Sequence, residues 1–297
     1  MATLKDILTK ISAVKKTKQI TKAMNMVAAS RLRGAQTAME AFRPYADKFA
    51  EVLGSLAGRS GEEANPLLVA HEEVKKIHIV LFTSDRGLCG GFNANLIDKA
   101  RGFMNAKAGQ DLEFSFTNFG SKGRDWCRKN NCNIDSEHLG VVGADFGFNI
   151  ALTAGRTLID GFLEGQYDEV HIVFAEFLTM ARQLPVLKQI LPIPPIKTAA
   201  DEDTEEAGAY LPEHICEPSP DELLGEMLPR NVYVQIYSAL LETSTSEHAA
   251  RMMAMDNATQ ACNDMLDNLT LIYNKARQAA ITAELMDIVG GAEALKG

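Results

Sequence analysis

Much that a sequence can carry is missing here, and each absence closes off a class of function. The five cysteines, Cys89, Cys127, Cys132, Cys216 and Cys262, include no CxxC pair, and their spacing does not suit a zinc site. Free thiols in a reducing compartment are expected, with a local Cys127–Cys132 disulfide as the alternative. The 6 histidines are scattered and form no HExxH motif, which argues against a catalytic metal. Neither GxGxxG nor GxxxxGK[ST] occurs, so the two commonest phosphate-cradling loops are absent. No apolar run approaches the roughly 20 residues that cross a bilayer. The opening Met1-Ala2-Thr3-Leu4-Lys5-Asp6 lacks the apolar core of a signal peptide, so the chain is expected to stay where it is made.

What is present is unevenly distributed. The net charge over 297 residues is -9, yet the stretch from Lys5 to Arg33 is basic, with Lys5, Lys10, Lys15, Lys16, Lys18, Lys22, Arg31 and Arg33 against the single acid Asp6. Asp201-Glu202-Asp203-Thr204-Glu205-Glu206 is the reverse. An acidic protein with one basic end points to an acidic partner for that end. A basic helix could also enter a DNA groove or lie on an anionic membrane. Against both, the lysines are interleaved with apolar positions, and no aromatic residue is there to stack on bases.

From Thr3 to Leu56 the only proline is Pro44, and helix formers dominate. Apolar positions recur at steps of three and four through Leu4, Ile7, Ile11 and Val14. They resume at Met24, Ala28, Ala35, Ala38, Phe42, Tyr45, Phe49, Val52 and Leu56, with Arg31 as an interruption. Between the two runs the seam positions are Lys18 and Thr21. The repeated step of three up to Met24 reads as a stammer. Such a helix spans on the order of 80 Å at 1.5 Å per residue, more than one globular core can cover, and needs a partner helix. The other end supplies one. Beyond Pro229 there is no proline, and no glycine before Gly290. A seam runs through Met255, Ala258, Cys262, Met265, Leu269, Ile272, Ala276, Ala279, Ala283 and Met286. Spacing sustained this long predicts an antiparallel coiled coil of the two chain ends.

The middle is different. Residues 76–84, 112–116, 169–174 and 186–193 read as strands, the first and third of them near-continuously apolar, as in a sheet covered on both faces. Helical stretches 95–104 and 150–164 alternate with them, giving an α/β domain. The fold expected is therefore α/β plus long helices: a helix over 1–60, a Rossmann-like α/β domain inserted over 74–210, and a helix over 220–297. The acidic tract is expected to be a mobile surface loop.

One segment sits where a nucleotide fold holds phosphate: Ser84-Asp85-Arg86-Gly87-Leu88-Cys89-Gly90-Gly91-Phe92-Asn93, between a strand and a helix. Its glycine spacing misses the fingerprint, so a tight glycine turn is the plainer reading. Cys89 beside Arg86 has the look of an activated thiol, but no histidine lies close enough in sequence to serve as its base.

Three segments resemble the gamma subunits of F-type ATP synthases: Lys16-Thr17-Lys18-Gln19-Ile20-Thr21-Lys22-Ala23-Met24-Asn25-Met26-Val27-Ala28-Ala29-Ser30-Arg31-Leu32-Arg33, the turn Ser84 to Asn93, and the stretch Tyr273 to Ala292 containing Asn274-Lys275-Ala276-Arg277-Gln278-Ala279. With the matching order of helix, α/β domain and helix, the resemblance covers essentially the whole chain. It implies a rotor without active site, cofactor or metal. Its partners would be the hexamer of alpha and beta subunits, the epsilon subunit and the c-ring, with no nucleic acid and no membrane span of its own. Its place would be peripheral, on the cytoplasmic face of a bacterial inner membrane. By the same resemblance, Lys18, Lys22 and Met24 meet acidic loops of the beta subunits, Arg86 and Cys89 approach the same collar, and Arg277 and Gln278 hydrogen-bond a beta-subunit loop. The apolar end beyond Ala276 would turn inside an apolar sleeve.

Overall fold

A computed structural model describes residues 3–57, 65–69, 71, 73–107, 112–194 and 219–294. The acidic tract and Cys216 lie outside them. Two long helices frame the chain: α1, Leu4–Ala57, of 54 residues, and α5, Pro220–Ala294, of 75 residues. Pro44 and Pro229 are both accommodated inside them. Between them run β1 (Lys76–Phe82), α2 (Phe92–Ala106), β2 (Glu113–Phe119), α3 (Ser121–Lys129), β3 (Asn133–His138), α4 (Phe148–Leu163), β4 (Glu169–Thr179) and β5 (Arg182–Leu191). Two compact units result: residues up to Ala28 with those from Met252 onward, and Ala29–Arg251.

In the first unit, α1 and α5 pair antiparallel. Thr21 and Thr259 share a hydroxyl–hydroxyl hydrogen bond of 2.8 Å, and the Asn25 amide donates to the Met252 carbonyl at 2.9 Å. Polar residues at seam positions cost some burial energy but fix register, because a slip would orphan them. The burial along α1 corrects the expected phase. The least exposed positions run Leu4, Ile7, Ile11, Val14, Lys18, Thr21, Asn25, Ala28, Leu32, Ala35, Met39, Phe42, at unbroken alternate steps of three and four. Asn25 takes the step after Thr21, so there is no stammer. Leu32 and Met39 are buried where Arg31 and Ala38 were expected to lie. On α5 the corresponding seam is Met255, Thr259, Cys262, Leu266, Leu269, Tyr273, Ala276 and Ala280. Met265, Ile272 and Met286, read as seam positions, are at least half exposed.

In the second unit the sheet order is β3-β2-β1-β4-β5, with β1–β4 parallel and β5 pairing antiparallel to β4. β1 lies at the centre, which is why Ile77 to Phe82 are all buried. One face packs on α4, on Leu53 and Leu56 of α1, and on Leu224, Leu228, Val232, Ile236 and Leu240 of α5. The other packs on α2 and α3 through Phe92, Leu96, Ala100 and Cys127. Strands read from the sequence extend further than expected, β2 to Phe119 and β4 to Thr179, while α3 and β3 were not anticipated at all. Gly120, at φ 94°, makes the β2-to-α3 corner; a Cβ there would stand 2.1 Å from the Thr83 carbonyl oxygen. All four described cysteines are free.

Buried polar groups tie β1 to β2 and β3. The His78 imidazole, fully buried, bonds the Ser115 hydroxyl at 2.6 Å and the Thr117 hydroxyl at 2.8 Å, and Tyr167 donates to Asp135 at 2.8 Å. Burial lowers the pKa of His78 and outweighs the nearby Asp135 carboxylate; burial also lowers those of His138 and His171. The folded chain thus binds these protons less readily than the unfolded chain, whose histidines titrate near 6.5. Stability should be full above that value and fall as pH drops below it, by up to about 1.4 kcal/mol per pH unit for each such histidine. Asp135, held low by its hydrogen bonds with His78 and Tyr167 despite burial, adds a loss of the same sign further down. Thermal unfolding of the isolated chain between about pH 7.5 and 5 should show this decline, and His78→Gln should flatten it. An unchanged slope in the variant would remove His78 from the account.

Candidate partner interface

The turn after β1 lies at the carboxyl end of the central strand, where the strand order reverses between β1 and β4. In doubly wound folds that crevice receives the ligand. Here the protein's own groups brace the turn. Asp85 accepts the backbone N–H of Ser121, the first residue of α3, at 2.9 Å and that of Gly140 at 2.9 Å. Its carboxylate caps the N-terminus of α3 and ties together the ends of β1, β2 and β3. Beneath it, Ser84, Cys89 and Asn93 form a closed knot. The Ser84 N–H donates to Asn93 Oδ1 at 2.9 Å, and Asn93 Nδ2 donates to the Cys89 sulfur at 3.2 Å. Above it, the tip Arg86-Gly87-Leu88 is exposed. Leu88 stands at φ 67°, with 62% of its surface open.

This corrects the reading of Cys89. It is 2% exposed in the isolated chain, and its thiol accepts from Asn93 and anchors the turn. Cys89 is not activated: burial pushes the thiol pKa up, and the cation that partly opposes this is Arg251 of α5, not Arg86. Arg251, which the sequence reading passed over, donates to the Gly87 carbonyl and to Glu247. Its signal was spacing alone, since Glu247 and Arg251 are one helical turn apart. Among the described residues there is no group of three or more potential metal ligands.

The remaining residues singled out in the sequence lie in the first unit. Lys18 is half-buried at a seam position, Lys22 is exposed, and Met24 is half-buried beside Asn25. Arg277 and Gln278 are exposed on α5. Gln278 belongs to an open stripe of that helix with Asp267, Thr270, Leu271, Asn274 and Lys275, and Arg277 adjoins it. The register set by Thr21–Thr259 and Asn25–Met252 brings Leu4 opposite Tyr273 to Ala276. Beyond Ala276, α5 runs on to Ala294 with no facing residue of α1. Those 18 residues make a free helical end of roughly 27 Å at 1.5 Å per residue. It carries Ile281, Leu285, Met286, Ile288 and Val289, each 48–68% exposed. An apolar surface of that extent marks a contact with another protein. None of the described helices is long and apolar enough to cross a membrane.

Comparison with known proteins gives the arrangement a context. A family model described as ATP synthase matches residues 3–295. The chain is 68% identical over 298 residues to the ATP synthase gamma chain of Desulfosudis oleivorans, covering 100% of both. It is 62% identical over 300 residues to the gamma chain of Desulforapulum autotrophicum, covering 99% of this chain and 100% of the relative. Among solved structures, a chain of the Euglena gracilis mitochondrial ATP synthase (OSCP/F1/c-ring, rotational state 3) matches with a TM-score of 0.66 at 18% identity, covering 98% of this chain and 94% of that one. At that identity the likeness speaks for the fold.

Proposed function

The chain belongs to the ATP synthase gamma-chain family, and from that membership we propose that it is the central rotor of an F-type ATP synthase, coupling ion-driven rotation of the c-ring to ATP synthesis and hydrolysis in the alpha–beta hexamer. The observation that carries this reading is the unpaired end of α5. Large apolar side chains exposed on several faces of a solitary helix are stable only inside a sleeve supplied by other subunits. A sleeve of that kind offers few directional bonds, so the helix turns in it without being held at one angle. Work is then done by differential contact: at each angle the asymmetric shaft favours one conformation of each beta subunit over another, and nucleotide affinity follows.

In this role residues 1–60 and 220–297 supply the shaft and 74–210 the foot that meets the epsilon subunit and the c-ring. Lys18, Lys22 and the surface around Met24 face acidic loops of the beta subunits. Arg86 approaches the same collar from the turn, with Cys89 supporting it from inside, and Arg277 and Gln278 reach a beta-subunit loop. The subunit itself is non-catalytic and takes no cofactor, because the turn after β1 lacks the glycine spacing of a phosphate loop. It is held peripherally at the cytoplasmic face of a bacterial inner membrane through the c-ring.

Gentle detergent extraction tests this reading: the chain should co-purify with alpha and beta subunits. Titration of the isolated chain with Mg-ATP in a calorimeter should give no saturable heat. A lone chain that binds Mg-ATP with a micromolar dissociation constant, about 8 kcal/mol, would replace the rotor by a nucleotide-dependent enzyme.

A further inference from the structure

The exposed tip Arg86-Gly87-Leu88 is unusual in how it is held. Its base is over-determined by Ser84, Asp85, Cys89 and Asn93. The Arg86 carbonyl is taken by the Ser84 hydroxyl at 2.7 Å, which is again a bond to the base. Only the Gly87 carbonyl, among the described residues, reaches another element, and its donor is the Arg251 guanidinium on α5. Leucine disfavours the left-handed backbone that Leu88 adopts, and such a conformation persists only where its surroundings hold it. Arg251 is itself held. Glu247, one turn before it and 4% exposed, accepts from the same guanidinium. Burial raises the Glu247 pKa, but His248 and Arg251 together outweigh this and keep the carboxylate ionised. A Cβ on Gly143 would come to 3.0 Å from Glu247 Oε2 and 3.3 Å from His248 Cε1, so the loop before α4 closes over the pair.

We infer that Arg251 is a positioning residue: with Glu247 fixing its guanidinium, it ties the tip of the turn to α5, so that the turn bears on its partner as a rigid part of the shaft. The inference rests on the rotor reading above. Without the tie, load on the tip would bend the turn before it moved the helix, and part of each stroke would be lost between rotation and the beta subunits.

The test uses the assembled, membrane-bound complex carrying wild-type chain, Arg251→Ala, Arg251→Lys or Glu247→Gln. Amide hydrogen exchange should rise roughly tenfold at Gly87 and Leu88 in Arg251→Ala, with β1 and α2 unchanged. ATP hydrolysis should persist while protons pumped per ATP fall about twofold or more. Arg251→Lys can satisfy one of the two acceptors and should lie between. If Arg251→Ala does not assemble, the other two variants are read the same way. Unchanged exchange at the tip overturns the inference, and so does faster exchange with normal pumping per ATP. Failure of the rotor reading looks different: the wild-type chain itself would be missing from the complex.

Discussion

Arg277→Ala should cut both ATP synthesis and ATP hydrolysis by about tenfold or more, while the isolated chain keeps its helicity and thermal midpoint. Arg277 is exposed and lies beside the seam residue Ala276, so truncation removes no contact that holds α1 against α5. The loss must then come from a partner. A hydrogen bond between a guanidinium and a loop carbonyl or carboxylate is worth about 1.5–3 kcal/mol. If made at one rotary angle only, that energy shifts the balance of beta-subunit states by about tenfold or more. Steady-state rates of the assembled variant, beside circular dichroism of the free subunit, decide the matter. A complex that runs at the normal rate would show that Arg277 merely solvates its helix.

Met24→Lys should uncouple the machine rather than dismantle it. Asn25 makes the seam hydrogen bond at this level, and Met24 is half-exposed one position before it. An ammonium there can reach solvent along the side chain's own stem without opening the helix pair. It adds a positive charge to the level of α1, with Lys18 and Lys22, that is proposed to slide past acidic loops. An added ion pair contributes about 0.2–1 kcal/mol when exposed, and more when desolvated. Holding one angle too firmly delays the next step, so hydrolysis should continue while proton pumping falls. Loss of both in proportion, or loss of assembled complex, would contradict this.

Where the sequence could be read and where it could not follows from what each element buries. β1 and β4 were legible because a central parallel strand is apolar on both faces. β3, Asn133-Ile134-Asp135-Ser136-Glu137-His138, was not. It is an edge strand whose inward positions are Ile134, Ser136 and His138, so its alternation is present but mostly polar. α3 buries only Gly123 and Cys127, too little to give a helical period. The long helices were plain, yet their seams were misphased. Met24 and Asn25, Arg31 and Leu32, and Met265 and Leu266 are neighbours that both fit a three-four count, and choosing the more apolar alternative at Met24 hid the register-setting asparagine. At the turn, the glycine spacing correctly argued against a phosphate loop. Cys89, however, was placed on the outside, because nothing local reveals that Ser84 and Asn93 close over it. Arg251 lies 164 positions from the Gly87 carbonyl it holds, a separation that no motif spans.

The claim that everything else depends on is that this chain turns relative to the alpha and beta subunits. The direct measurement fixes the hexamer to a surface, attaches a probe to the exposed α/β foot through an introduced surface cysteine, and follows the probe optically while ATP is hydrolysed. The account predicts rotation in one direction with as many dwells per turn as there are beta subunits. A probe that stays at one angle while the same complexes hydrolyse ATP would contradict it.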